Sequence, residues 1–195
     1  LEKMDIRKFF TKKSDNVSKE TEYTPKTHKV YTDGSTFNNG KKNAIGGIGV
    51  YFPNKKLDNI SEPFTDDLAT NNKCELEACR QALLSVTCFK EFNRDDFIIL
   101  YTDSSYVINC ITLWSNTWEK NGWKRLGRSG KKVQVKNIDL IKQIKSLYKM
   151  YRIEFRHIMA HKDAPNNNKN SVEYLDWYGN KMADELAVLG TKKNL

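Results

Sequence analysis

Tyr31-Thr32-Asp33-Gly34-Ser35 and Tyr101-Thr102-Asp103-Ser104-Ser105 close two short runs of the chain in nearly the same wording. Each places an aspartate where a β-prone run gives way to a loop or helix start. Val30-Tyr31-Thr32 has strand-favouring side chains, and Phe97 to Thr102 is almost wholly apolar, the pattern of a buried central strand. In open α/β sheets, ligands collect beyond the carboxyl ends of the strands. If these two strands are neighbours, Asp33 and Asp103 lie side by side, and such a pair repels unless a cation neutralises it. Hard divalent cations, which prefer oxygen ligands, suit that arrangement. Strand-end aspartates are also ordinary turn formers, so the pair alone does not decide.

Outward from this pair, Ala44 to Phe52 reads as a strand after an Asn-Asn-Gly turn, and Asn59 to Phe64 as a third, meander-like strand. Thr70 to Phe89 reads as a helix whose apolar stripe is Leu76, Cys79, Leu83 and Val86. Ser104 is placed to cap another helix, and a further one is expected from about Asn137 to Tyr151. Ile153 to Ile158 alternates like a strand. A polar, Asn-rich stretch from Asp163 to Ser171 follows, and a last helix is expected from Tyr178 to Leu189. This order predicts an α/β fold, a five-stranded mixed sheet flanked by helices. Glu75 then falls in the first turns of the Thr70 helix, at the border of its stripe, and Asp184 in the last helix. Taken singly, each is an ordinary solvated charge; the signal is the set of four acids.

A chain of 195 residues suits one domain, expected over 29–195, behind a tail over 1–28 that lacks periodicity and is rich in Lys, Thr, Ser and Glu. Met4 is the expected natural start. The net charge of +9 is uneven: residues 1–29 carry eight Lys/Arg against five Asp/Glu, and residues 118–136 carry seven against one. The rest is neutral, so the basic segment near the middle is either a solvated loop or a grip for a polyanion. Cys74, Cys79, Cys88 and Cys110 show neither paired spacing nor a histidine at zinc-ligand spacing, and they read as small apolar residues in a reducing compartment. No apolar run is long enough to span a membrane, and no secretory leader pattern is present. A nuclear, cytoplasmic or viral setting is therefore expected, and a secreted one is not.

The succession Y-T-D-G-S, T-N-N-K-C-E-L-E-A, L-Y-T-D-S-S-Y and G-N-K-M-A-D closely resembles type 1 ribonuclease H, over about Lys29 to Gly190. The resemblance implies an endonuclease that hydrolyses the RNA strand of RNA–DNA hybrids, leaving 5′-phosphate and 3′-hydroxyl ends. It implies two Mg²⁺ ions, with Mn²⁺ as a substitute, held by Asp33, Glu75, Asp103 and Asp184. His161 matches the mobile histidine that helps product leave, and His157 is the structural histidine of the pair. The segment from Trp114 to Arg125 resembles the basic protrusion that straddles the DNA strand, where aromatics interleave with cations. Tyr106, Trp114, Trp118, Lys124 and Arg125 are thereby expected along the DNA, with Thr70 and Asn137 on a DNA phosphate. Asn39, Asn71 and Asn72 match positions that read RNA 2′-hydroxyls. Trp118 and Trp123 are equally readable as residues that pack a helix against its loop.

Two departures stand out. The 22 residues between His161 and Asp184 are roughly a dozen more than is usual, and Leu68 stands where the phosphate pocket's arginine is expected. In the tail, Ile6, Phe9 and Phe10 have the spacing of a peptide that binds the PCNA-type sliding clamp, although Lys3 stands where glutamine is usual. A monomer acting in DNA replication or hybrid clearance is expected. The same fold also serves DNA-cutting integrases and resolvases, and a non-catalytic hybrid-binding module is a third reading. The T-N-N motif and the tryptophans argue against the first, and the full set of acids against the second.

Overall fold

The two Tyr-Thr-Asp stretches pair with each other. The computed structural model describes residues 23–65, 68–160, 163–165 and 168–195. In it, β1 (Thr27–Phe37) and β4 (Phe97–Thr102) run parallel, with Tyr31 opposite Tyr101 and Thr32 opposite Thr102. The two tyrosine rings stack with centroids 4.5 Å apart. Asp33 and Asp103 follow on from these matched positions; β4 ends there as expected, whereas β1 runs on to Phe37 against the next strand, so Asp33 lies within its strand rather than at its end.

Antiparallel strands β2 (Ile45–Tyr51) and β3 (Ile60–Phe64) extend the sheet beyond β1, and β7 (Arg152–His157) pairs parallel with β4, giving the order β3-β2-β1-β4-β7. This is the five-stranded mixed sheet expected from the sequence. On one face lie α1 (Asn71–Thr87) and α4 (Ile138–Met150), whose Leu76, Leu83, Ile141 and Ile144 close a core over Val30, Ile98 and Leu100. The predicted stripe of α1 is fully buried, and Thr70 caps the helix by accepting a hydrogen bond from the Lys73 N–H at 3.3 Å. The other face is covered by α5 (Val172–Lys192). Gly49 faces Asp33 across the β1–β2 ladder. A Cβ on Gly49 would lie 2.1 Å from the carbonyl oxygen of Ala183, so α5 rests directly on the backbone of β2.

Three boundaries differ from expectation. α5 starts at Val172 rather than Tyr178, capped by the Ser171 hydroxyl, which accepts from the Tyr174 N–H. Gly179, second residue of the expected helix, is a seat: a Cβ there would lie 2.6 Å from the Tyr31 ring. β1 opens at Thr27, ahead of Lys29, because Asp96 ties down the residues before it. Its carboxylate accepts from the Tyr23 hydroxyl, the Lys26 N–H, the His28 ring and the Asn93 N–H, at 2.5, 2.7, 2.8 and 3.1 Å. Finally, the basic segment contains a ribbon of β5 (Lys124–Leu126) and β6 (Lys132–Gln134), apart from the main sheet. Every residue of both strands is exposed, so no alternation marks them. The ribbon follows α2 (Ser105–Asn109), a π-helical turn (Cys110–Trp114) and α3 (Ser115–Lys120). Among the described residues, no helix is long and apolar enough to cross a membrane. The predicted tail residues Ile6, Phe9 and Phe10, and His161, lie outside the described residues.

Candidate active site

One carboxylate oxygen each from Asp33, Glu75 and Asp103 lies within 4.8 Å of the other two. The strands bring the aspartates together, and Gly34 brings the glutamate. A Cβ at Gly34 would lie 2.3 Å from the backbone nitrogen of Glu75, so a side chain there would push α1 off the strand. Glu75 is only 3% exposed. Its Oε2 is buried with no hydrogen-bond partner, and its Oε1 receives one long bond, from Asn71 Nδ2 at 3.5 Å. Asp184 lines the same cavity of about 420 Å³, with Ser35, Asn71 and Ala160, although it stands outside the three-acid set.

The electrostatics follow from this crowding. Burial, and then the charges of Asp33 and Asp103, hold the Glu75 carboxyl well above the usual carboxylate range. Burial likewise pushes Asp33 up to about 7, helped by Asp103 and Asp184. Glu75 Oε2 thus lies among clustered carboxylates with no protein donor. A hard divalent cation supplies both the missing partner and the missing charge, and an all-oxygen donor set suits such an ion over softer metals.

A groove of about 880 Å³ opens beside the acids. Tyr106, Trp114 and Trp118 form an aromatic row along it, with successive ring centroids 6.3 and 5.7 Å apart. Asn137, held at a left-handed φ of 57°, donates its Nδ2 to the Tyr106 hydroxyl at 3.3 Å. Thr70, Asn72 and Arg125 also line this groove. Most of the residues expected to meet substrate therefore share one surface. Others sit elsewhere. Asn71 faces the carboxylate cavity, and the side-chain oxygen of Asn39 accepts its N–H at 3.3 Å. Lys124 is exposed on the ribbon and is not part of the groove wall. Trp123 packs on the core under the Lys142 ammonium, 5.1 Å from the ring centroid, which fits the packing alternative. Trp118 both packs on the core and lines the groove. The ring of His157 meets the Asp103 carbonyl oxygen at 3.1 Å.

Two cations of the groove, Lys73 and Lys136, were not singled out from sequence. The available signal was position: Lys73 follows the Thr-Asn-Asn motif, and Lys136 immediately precedes Asn137. They share the wall with Leu68, so positive charge is present even though the expected arginine is not.

Residues 25–192 match the sequence profile of the family described as RNase H. The chain belongs to the RNase H family. Among its relatives, ribonuclease H of Schizosaccharomyces pombe is 33% identical over 164 residues, which is 84% of this chain and 53% of that protein. Ribonuclease H of Clostridium botulinum is 36% identical over 165 residues, covering 82% of this chain and 97% of its own length. The chain therefore spans about half of the first relative and nearly all of the second. The RNase H fold is equally plain against a solved structure, LC9-RNase H1, a type 1 RNase H with the type 2 active-site motif. The two share a TM-score of 0.62 at 22% identity, over 90% of this chain and 76% of the other.

Proposed function

We propose that this ribonuclease H cuts the RNA strand of RNA–DNA hybrids with two Mg²⁺ ions, for which Mn²⁺ can substitute, leaving 5′-phosphate and 3′-hydroxyl ends. The observation that carries the proposal is the orphaned Glu75 oxygen among converging carboxylates, next to an aromatic and cationic groove. Asp33, Glu75, Asp103 and Asp184 would hold the ions, whose chemistry is to activate a water and stabilise the leaving oxygen. The protein's own contribution is positioning. Thr70, at the capped start of α1, and Asn137 hold a phosphate of the DNA strand, where helix N–H groups favour an anion. Tyr106, Trp114 and Trp118 offer faces to its sugars and bases, with Lys124 and Arg125 reaching its backbone. Asn39, Asn71 and Asn72 contact RNA 2′-hydroxyls, and the Asn39–Asn71 bond pre-orients two of them. His161 assists product departure. In the tail, Ile6, Phe9 and Phe10 bind a sliding clamp, which would place a monomeric enzyme at replication sites. Loss of clamp binding in Phe9→Ala with Phe10→Ala supports that placement, and unchanged binding removes it.

The test is cleavage of a labelled RNA–DNA hybrid with Mg²⁺, beside duplex DNA and duplex RNA, by the parent and by Asp103→Asn. RNA cutting confined to the hybrid and lost in the variant supports the proposal. Cutting of duplex DNA favours an integrase-like activity, binding without cutting favours a hybrid-binding module, and cutting that survives in Asp103→Asn displaces the metal site.

A further inference from the structure

Lys145 is a buried cation that the proposed chemistry leaves unused. It lies in α4, is 4% exposed, and directs its ammonium out of that helix toward another. Its Nζ donates to Ser115 Oγ at 2.9 Å and to Asn116 Oδ1 at 2.8 Å, and meets Glu119 Oε2 at 3.2 Å. All three acceptors belong to α3. The Ser115 hydroxyl in turn donates a hydrogen bond to the Ile111 carbonyl at 2.9 Å, inside the π-helical turn. Burying an ammonium is expensive, and an apolar side chain of similar length is often the more stabilising choice. A charge kept there has a use in fixing geometry. The geometry at issue is the rotation of α3, because the π turn inserts an extra residue and leaves the following helix out of phase with α2. Trp114 ends that turn and Trp118 lies on α3, so their placement in the groove depends on how α3 is held.

We infer that Lys145 is a positioning residue for substrate: it locks α3 against α4 so that the Tyr106–Trp114–Trp118 row faces the groove. The inference rests on the groove's role in binding the hybrid. Its test is the affinity of a short RNA–DNA hybrid, measured in EDTA to prevent cleavage, together with kcat and KM in Mg²⁺, for Lys145→Met and Trp114→Ala. Lys145→Met is expected to raise Kd and KM about tenfold while kcat at saturation stays within about twofold. If the variant folds poorly, Asn116→Ala with Glu119→Gln, both exposed positions, should raise Kd about threefold at a temperature where circular dichroism shows the variant folded. Normal Kd and KM in Lys145→Met, with only a lowered Tm, would reduce Lys145 to a structural staple. A Kd unaffected by Trp114→Ala would instead sink the groove's role, and this inference with it.

Discussion

The central strand pair β1–β4 carries buried carboxylates at both of its ends, and the two ends are solved in opposite ways. At the amino end, Asp96 is fully buried and accepts four hydrogen bonds. Burial alone would raise its carboxyl, but the Tyr23 hydroxyl, the Lys26 and Asn93 N–H groups and the His28 ring together hold it below the usual range. At the carboxyl end, Asp33 and Glu75 are almost as buried, but the few donors near them, the Gly34 N–H and a long bond from Asn71 Nδ2 to Glu75, do not offset burial and the neighbouring acids, and both are raised. A carboxylate given enough donors is a fastener; carboxylates crowded together with too few favour a proton or a cation. The same strands therefore build stability at one end and sacrifice it for chemistry at the other.

The largest expected effect tests the carboxyl end. Asp33→Asn should lower hybrid cleavage on the order of a thousandfold, with hybrid binding in EDTA retained. The same change should stabilise the metal-free protein by about 2 kcal/mol, because it removes a repelled charge. A destabilised variant in chemical denaturation would show that Asp33 is fastened after all. Next in size, Asp96→Ala should cost about 3 kcal/mol by leaving buried donors unpaired. That corresponds to a drop of roughly 10 °C in Tm, with kcat little changed at a permissive temperature. Loss of kcat without loss of Tm would erase the distinction between the two ends.

Dependence on pH sharpens the contrast, because the signs differ. Asp96 has a lowered folded pKa, so its contribution is present above the unfolded value near 4 and is lost as pH falls below it. Asp33 and Glu75 have raised folded pKa values and bind protons more tightly in the folded state. The metal-free protein should accordingly lose stability as pH rises from about 4 through about 7. Denaturation midpoints in EDTA should peak on the acid side of neutrality, and saturating Mg²⁺ should flatten the upper limb. A curve unmoved by Mg²⁺ would mean that no ion sits among these acids. The smallest effect concerns the ground between the ends: Tyr31→Phe removes the hydroxyl that donates to Asp176 at 2.7 Å and should cost about 1 kcal/mol without moving either limb.

Much of this arrangement was legible in the chain. The repeated Tyr-Thr-Asp wording announced two matched neighbouring strands, although only Asp103 follows a strand end and β1 runs on past Asp33, and the spacing of Leu76, Cys79, Leu83 and Val86 announced the helix that delivers Glu75. Asp96 and Lys145 were not legible, because their partners lie far away in sequence: the Asp96 carboxylate binds Tyr23 and His28, and Lys145 binds α3. Nothing local distinguishes them from solvated charges. The early start of α5 was hidden for a related reason. Gly179 weakens a helix in isolation, and only the Tyr31 ring beneath it explains its presence. The β5–β6 ribbon has no buried face, so strand periodicity had nothing to record.

Gly49 gives β2 a part in the chemistry that the side chains of that strand never play. It pairs with Asp33 through the ladder and lies beneath Ala183, the residue just before Asp184. Two of the four acids are thus gauged from a single point on a strand that supplies no functional group. A missing methyl sets the height at which the last helix rides, much as a machinist sets clearance by leaving out a shim. Thickening the sheet there would lift Asp184 relative to Asp33, respacing the carboxylates without touching any of them.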